Sequence, residues 1–303
     1  MRYFVEQMTL GLTNGAIYAL IALGYTMVYG IIELINFAHG DIFTVGGLIG
    51  LTAIGLLGLD HASPALVIPG LILVFAVAMG LNGLVGVAIE RVAYRPLRNA
   101  PRLAPLITAV GMSFVLEGII FLLKGPNDIS YPNLLPSGRL SLGLVSIGIS
   151  NILIVVIAVI LMVALNQFIQ RTRIGRAMRA TAQDRDAARL MGININRTIA
   201  ITFFIGSALA AAGGIINGFY LETIRFDQGF RAGLIAFTAA VFGGIGNVVG
   251  ASIGGFVIGI IIALVTGYFQ GGGQWSDVVV FSILILTLVF RPTGLLGMRV
   301  PEK

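Results

Sequence analysis

Cysteine is absent from the 303 residues, lysine and histidine each occur twice, and only 11% of the residues are charged. Without cysteine there are no disulfides, no cysteine-ligated zinc, no iron–sulfur cluster and no thiol catalysis. Neither Lys124 nor Lys303 stands in a G-x-x-x-x-G-K-[ST] run, so the chain cannot cradle and hydrolyse ATP by itself. The run GASIG (Gly250–Gly254) fits the G-x-S-x-G hydrolase pattern, but that pattern needs a strand–turn–helix setting and a placed histidine, and only His39 and His61 exist. No catalytic residue and no metal site is assigned. The opening MRYFVEQMTLGLTNG lacks a basic region, an uninterrupted apolar core and a small-residue cleavage site, so a cleaved secretory signal is not expected.

What is present is apolar. Hydrophobic residues make up 57%, with 41 Gly and 18 Phe, and the mean hydropathy is +0.98. Nine apolar segments approach or exceed the ~18 residues that cross a bilayer: Thr9–Ile31, Ile42–Leu59, Ala65–Ile89, Leu103–Leu123, Asn151–Ile169, Thr198–Leu221, Ala232–Val249, Ala251–Phe269 and Asp277–Phe290. The expected fold is a single all-α domain over residues 1–303, a polytopic helical membrane bundle of about eight to ten segments with room for broken or re-entrant helices. The net charge of +6 does not signal nucleic acid, because the arginines sit in short loops beside apolar spans.

Those loops orient the chain. Arg91–Arg102 carries four Arg and no acid, and the tail carries Arg291, Arg299 and Lys303 against Glu302, which assigns both to the cytoplasmic side. Gly125–Ser150 and Leu221–Arg231 then lie outside. Three further spans reach the tail if a Gly-rich turn around Gly250 is internal. Arg2 and Glu6 cancel, so charge does not place the N-terminus.

Gln170–Arg197 is a charged, Ala-rich island with seven Arg and two Asp. Its arginines make it cytoplasmic, and its length suits a docking element for a cytosolic partner. Plotted as one helix from Arg176 to Met191, Ala177, Ala180, Ala187, Ala188 and Met191 share a stripe with Asp184, while Arg179, Arg185 and Arg189 project elsewhere. Gly175 and Gly192 bracket the segment, Gly192 being placed to end a helix. The alternative is an amphipathic helix on anionic lipid, although such helices carry Trp, Phe or Leu where this one has Ala.

Two polar features interrupt the apolar segments. INFAHG (Ile35–Gly40) falls where a helix is expected to break, and Glu33, Asn36, His39 and Asp41 gather there. Polar groups at membrane depth are costly unless they pair or line water. The region is therefore either a wall of a transport pathway, with Asn36 and His39 as candidates, or a polar interfacial turn with His39 capping backbone groups. Glu117 lies six residues, ~9 Å, inside the outer end of its segment. It either binds a substrate ammonium or ties two helices together in protonated form. Gly246, Gly250 and Gly254 at four-residue spacing form a flat helix face for close packing.

The run TRIGRAMRATAQDRDAARLMGININ (Thr172–Asn196), continuing as FFIGSALAAAGGI (Phe203–Ile215), resembles the permease of the high-affinity branched-chain amino acid ABC importers, the LivH type. GAIYALIALGYTMVYGIIELINFAHGD (Gly15–Asp41), FTAAVFGGIGNVVGASIGG (Phe237–Gly255) and FRPTGLLG (Phe290–Gly297) extend the likeness over nearly the whole chain. The resemblance implies a prokaryotic inner-membrane subunit paired with a second, LivM-type permease, two ATP-binding subunits and an external solute-binding protein. It also implies that ATP and Mg are used by the partners, and that the cytoplasmic loop carries a coupling helix formed here by Gly175, Arg176, Ala177, Ala180, Asp184, Ala187, Ala188, Met191 and Gly192. Related permeases carry urea, short amides or other amino acids. A reading outside this family is an ion-coupled secondary transporter acting alone, with INFAHG as its broken helix, and a scaffold recruiting a cytosolic protein is a third.

Overall fold

The computed structural model describes residues 2–98, 100–101, 103–136, 138–142 and 145–297. Arg102 and the tail residues Arg299, Glu302 and Lys303 lie outside these. The described chain forms eleven α-helices: α1 Arg2–Ile32, α2 His39–Leu56, α3 Pro64–Ile89, α4 Leu103–Lys124, α5 Ile149–Arg171, α6 Arg173–Gln183, α7 Arg185–Leu190, α8 Ile195–Leu221, α9 Gln228–Gly243, α10 Val248–Tyr268 and α11 Gly272–Phe290. Eight of them, all but α6, α7 and α9, are long and apolar enough to cross a membrane. Two antiparallel ribbons complete the described structure, Arg139–Leu142 with Val145–Gly148 and Ile129–Ser130 with Thr223–Ile224.

Burial separates inner from outer helices. In the apolar window of α1, 83% of the residues are buried, and in α8 78%, against 17% in α11 and 22% in α4. The centre is built on small residues, since without a hydrophobic difference between helix and lipid, close backbone approach must supply the packing. A Cβ on Gly11 would lie 2.7 Å from the Ile260 Cα, and one on Gly259 2.3 Å from the Gly15 Cα, so α1 and α10 meet backbone to backbone. The Tyr3 hydroxyl donates to the Gly267 carbonyl at 2.6 Å. The start of α1 therefore lies beside the end of α10, on the face opposite the arginine-rich loops. This settles which face the N-terminus shares, which charge left open.

The interior contains two short entries. α1 stops at Ile32, and Glu33 follows at φ 54°. The chain turns back inward, and α2 begins at His39, beside Gly24 of α1 and Gly206 of α8. Gly24 stands eight residues, ~12 Å, before the end of α1, so α2 begins well inside the bundle. α9 does likewise from the other face: Gly229 and Gly233 in its first turns pack on Gly40. The expected helix break at INFAHG is thus present.

Three expectations are corrected. The segment Ala232–Val249 is not one span; its helix is Gln228–Gly243, of 16 residues, and Val248 already belongs to α10. The Gly-rich turn is centred on Gly244–Asn247 rather than Gly250, because Gly244 and Gly246 take φ 111° and 89°, which side-chain-bearing residues avoid. Gly246 is accordingly a turn residue with open space where a Cβ would stand, not part of a packing face. Gly250 and Gly254 do pack, against Gly243 and Ala239 of α9, while Gly255 and Gly259 face α1. GASIG lies wholly inside α10, with no strand before it.

Candidate functional site

The start of α2 gathers buried polar side chains. Asn36 is buried, and its Oδ1 accepts from the Tyr94 hydroxyl at 2.8 Å, while its Nδ2 has no partner among the described residues. Tyr94 stands in the π-helical turn Glu90–Tyr94 that continues α3, its ring 5.4 Å from that of Phe203. His39 is 1% exposed, and its ring meets Tyr25 edge-on at 4.9 Å. A Cβ on Gly24 would fall 2.0 Å from His39 Nε2, so the imidazole occupies the space that this glycine leaves. His39 makes no cap: the N-cap residue is Ala38, without a side-chain hydrogen bond. Both side chains are buried, so the region is not an interfacial turn, although His39 does bond a backbone group, that of Ile21 in α1.

Asp41, two residues on, is fully buried. Its Oδ2 accepts from the Ser113 hydroxyl of α4, and its Oδ1 is unpaired. Glu117 follows Ser113 by one helical turn, half-buried and within electrostatic reach of both Asp41 and Asp227. Lys124 is exposed at the end of α4, and neither Asp41 nor Glu117 takes part in an ion pair among the described residues. Asn82 of α3 fixes α2 from the side, its amide donating to the Ile42 carbonyl at 3.0 Å and to the Ser207 carbonyl at 2.8 Å. On the far side the buried Tyr131, between α4 and α5, donates to the Gly47 carbonyl at 3.3 Å. Asn36 and His39 thus stand at the start of α2, and Glu117 is linked to that helix through Asp41. Asp41 is visible in the sequence only as a carboxylate in an otherwise apolar segment, and nothing local marks Ser113, Thr44 or Gln228.

The arginine-rich island lies on the other face and is two helices rather than one. Thr172 caps α6 by accepting from the Gly175 amide at 2.9 Å. Asp184, extended at φ −156° and ψ 115°, caps α7 by accepting from the amides of Asp186 and Ala187. A carboxylate that bonds the following amides starts a new helix instead of continuing the old one, so the stripe drawn from Arg176 to Met191 is not continuous. Gly175 does not bracket the helix but lies buried within α6, where a Cβ would meet the Ile169 carbonyl at 2.1 Å. Ala177 and Ala180 are half-buried and Ala188 is buried. Arg176, Ala187, Met191 and Gly192 are exposed, Gly192 ending α7 at φ 82° as expected.

Two arginines tie this face to the helix break. Arg185 Nε and an Nη donate to the Ile31 carbonyl at 3.2 and 2.9 Å, filling the open end of α1. Arg98 pairs with Glu90, at the root of the π-helical turn, and donates to Asn196 Oδ1 at 2.6 Å. Burial pushes the Arg98 guanidinium down from its ordinary value, and Glu90 opposes that shift. Arg98, Arg185, Glu33 and Pro105 line a hollow of about 150 Å³. Arg185 was placed off the docking stripe, and no sequence signal pointed to Ile31, 154 positions away.

Residues 7–288 match the family described as branched-chain amino acid transport system, permease component. The chain is 46% identical over 308 aligned residues to the high-affinity branched-chain amino acid transport permease BraD of Pseudomonas aeruginosa, covering 99% of this chain and 98% of that protein. It is 44% identical to LivH of Escherichia coli, again over 99% and 98%. The fructose import permease FruG of Bifidobacterium longum is 26% identical over 82% of this chain and 73% of its own length. A family match across most of the chain, an all-α bundle with eight membrane-length helices and full-length relatives lead to one assignment: this chain belongs to the permease-component family of branched-chain amino acid transport systems.

Proposed function

We propose that the chain is the membrane permease subunit of an ATP-driven importer for leucine, isoleucine and valine. The observation that carries this is the near-full-length likeness to BraD and LivH. In this reading the chain works with a second, LivM-type permease, two ATP-binding subunits that use ATP and Mg, and an external solute-binding protein. The arginine-rich face is cytoplasmic in a prokaryotic inner membrane, and α6–α7 receives the movement of the ATPases. That movement passes through Arg185 to the end of α1 and so to the break before α2. Asn36, His39 and Glu117 stand in the part of the pathway that α2 and α4 form. A zwitterion with an apolar side chain needs a pathway with few fixed charges and enough polarity to replace part of its hydration, which suits this interior.

Reconstitution of the complete complex in vesicles, with radiolabelled leucine, valine, urea and a hydrophilic amino acid, tests the reading. ATP-dependent uptake of leucine and valine is expected. Uptake of urea but not leucine would keep the mechanism and reject the substrate, whereas ion-driven uptake by this subunit alone would overturn the importer.

A further inference from the structure

The carboxylate of Asp41 stands at the centre of a set of polar atoms that the protein leaves unmatched. Asp41 Oδ1 and Thr44 Oγ1 belong to fully buried residues, lie one turn apart on α2 and have no hydrogen-bond partner among the described residues. Both residues face the start of α9: a Cβ on Gly229 would stand 2.5 Å from Thr44 Oγ1 and 2.9 Å from the Asp41 Cα. Gln228, next to Gly229, leaves its Nε2 unpaired. Across the gap α4 offers the Ser113 hydroxyl, already bonded to Asp41, and one turn further the Glu117 carboxylate. Asp227, beside Glu117, is matched by Arg225. Asp41 and Glu117 have no such cation among the described residues.

An unpaired carboxylate in a low-dielectric interior is costly unless it holds a proton or meets a cation. A primary ammonium carries three N–H donors and no acceptor. Asp41 Oδ1 and Thr44 Oγ1, one turn apart on α2, are two idle acceptors, and the Glu117 carboxylate of α4, within electrostatic reach of Asp41, is a third. The position suits a transient stop, because Tyr131 closes over α2 at Gly47 on one side and Tyr94 holds Asn36 on the other. Resting on the importer reading above, we propose that Asp41, Thr44 and Glu117, with Ser113 orienting Asp41, form a station for the ammonium group of the transported amino acid. The unpaired Gln228 amide at the start of α9 is then the donor for the substrate carboxylate.

Two measurements test this. In the complete importer in vesicles, Asp41→Asn lowers leucine uptake about tenfold, the scale of a lost charge-assisted hydrogen bond, while ATP hydrolysis stimulated by the loaded binding protein stays within about twofold. Glu117→Gln lowers uptake by a smaller factor. Uptake by Asp41→Asn equal to that of the unaltered complex would overturn the station and assign Asp41 to a protonated helix tie. The second measurement keeps Asp41 in place, and so stands even if Asp41→Asn fails to assemble. A single cysteine at Gln228, in this cysteine-free chain within the complete complex, is alkylated in lipid nanodiscs without binding protein. Leucine and 3-methylbutylamine, which carry the ammonium, slow the reaction at millimolar concentration, and 4-methylpentanoate, which lacks it, does not. Equal protection by the acid, or none by the amine, rejects ammonium recognition. Failure of the unaltered complex to take up leucine would instead reject the importer reading, while the alkylation still reports on the station.

Discussion

The α1–α10 seam and the α2–α9 junction are both glycine-lined, yet they are built for different ends. Along the seam, Gly11, Gly15, Gly255 and Gly259 bring two backbones together with no space left over. At the junction, Gly40, Gly229 and Gly233 make an equally close approach, but Asn36, Asp41, Thr44 and Gln228 around them keep unpaired polar atoms. A seam packed backbone to backbone leaves no room for a solute, whereas a junction with idle donors and acceptors gains hydrogen bonds whenever water or a polar solute enters. Glycine alone therefore does not mark the moving part of such a bundle; unsatisfied polarity beside it does.

The largest effect is expected from Gly259→Leu, which drives a side chain into the Gly15 backbone, 2.3 Å from where its Cβ would stand. Overpacking of this kind costs ~1–3 kcal/mol or more, and it should appear as lost monodisperse protein and a lower unfolding temperature in detergent. An unchanged unfolding temperature would remove the distinction between seam and junction.

Asn36→Leu comes next. It strips the Tyr94 hydroxyl of its acceptor at a cost of ~1–3 kcal/mol, and uptake by the full complex should fall severalfold with assembly intact. His39→Leu removes a buried ring whose Nε2 is unpaired but which bonds the Ile21 backbone of α1, so its cost should stay near ~1 kcal/mol. Equal uptake losses for the two would mean that packing, not polarity, governs the junction.

Arg185→Ala should act most subtly, removing the two bonds to the Ile31 carbonyl. Because Arg185 is partly open to solvent, about 1 kcal/mol is at stake. The expected signature is two- to threefold less leucine moved per ATP hydrolysed, with unfolding temperature nearly unchanged. The sequence puts Arg185 off the docking stripe; the tie to α1 makes its substitution a test of coupling in its own right.

Much of the architecture was readable because hydropathy and charge are local properties. An apolar run of membrane length must form its hydrogen bonds within itself, and so becomes a helix whatever its neighbours are. Arginine clusters marked one face for the same reason, and Gly192 ended its helix because a residue without a Cβ was available for positive φ. The break at INFAHG was legible as polarity where apolar residues should continue. The split at Asp184 was also written in the chain, since Asp is a helix-starting residue, but averaging the periodicity over sixteen positions hid it.

The sequence by itself determined the class, the family likeness, the arginine-rich face and the approximate helix count, all of which follow from composition taken over windows of neighbouring residues. Only the tertiary structure decided that the N-terminus shares the Gly267 face, that Gly246 turns rather than packs, and that Asp41 meets Ser113 across 72 positions while Arg185 meets Ile31 across 154. Those outcomes depend on which helix faces come together, and close packing of backbones sets that choice through atoms far apart in the chain.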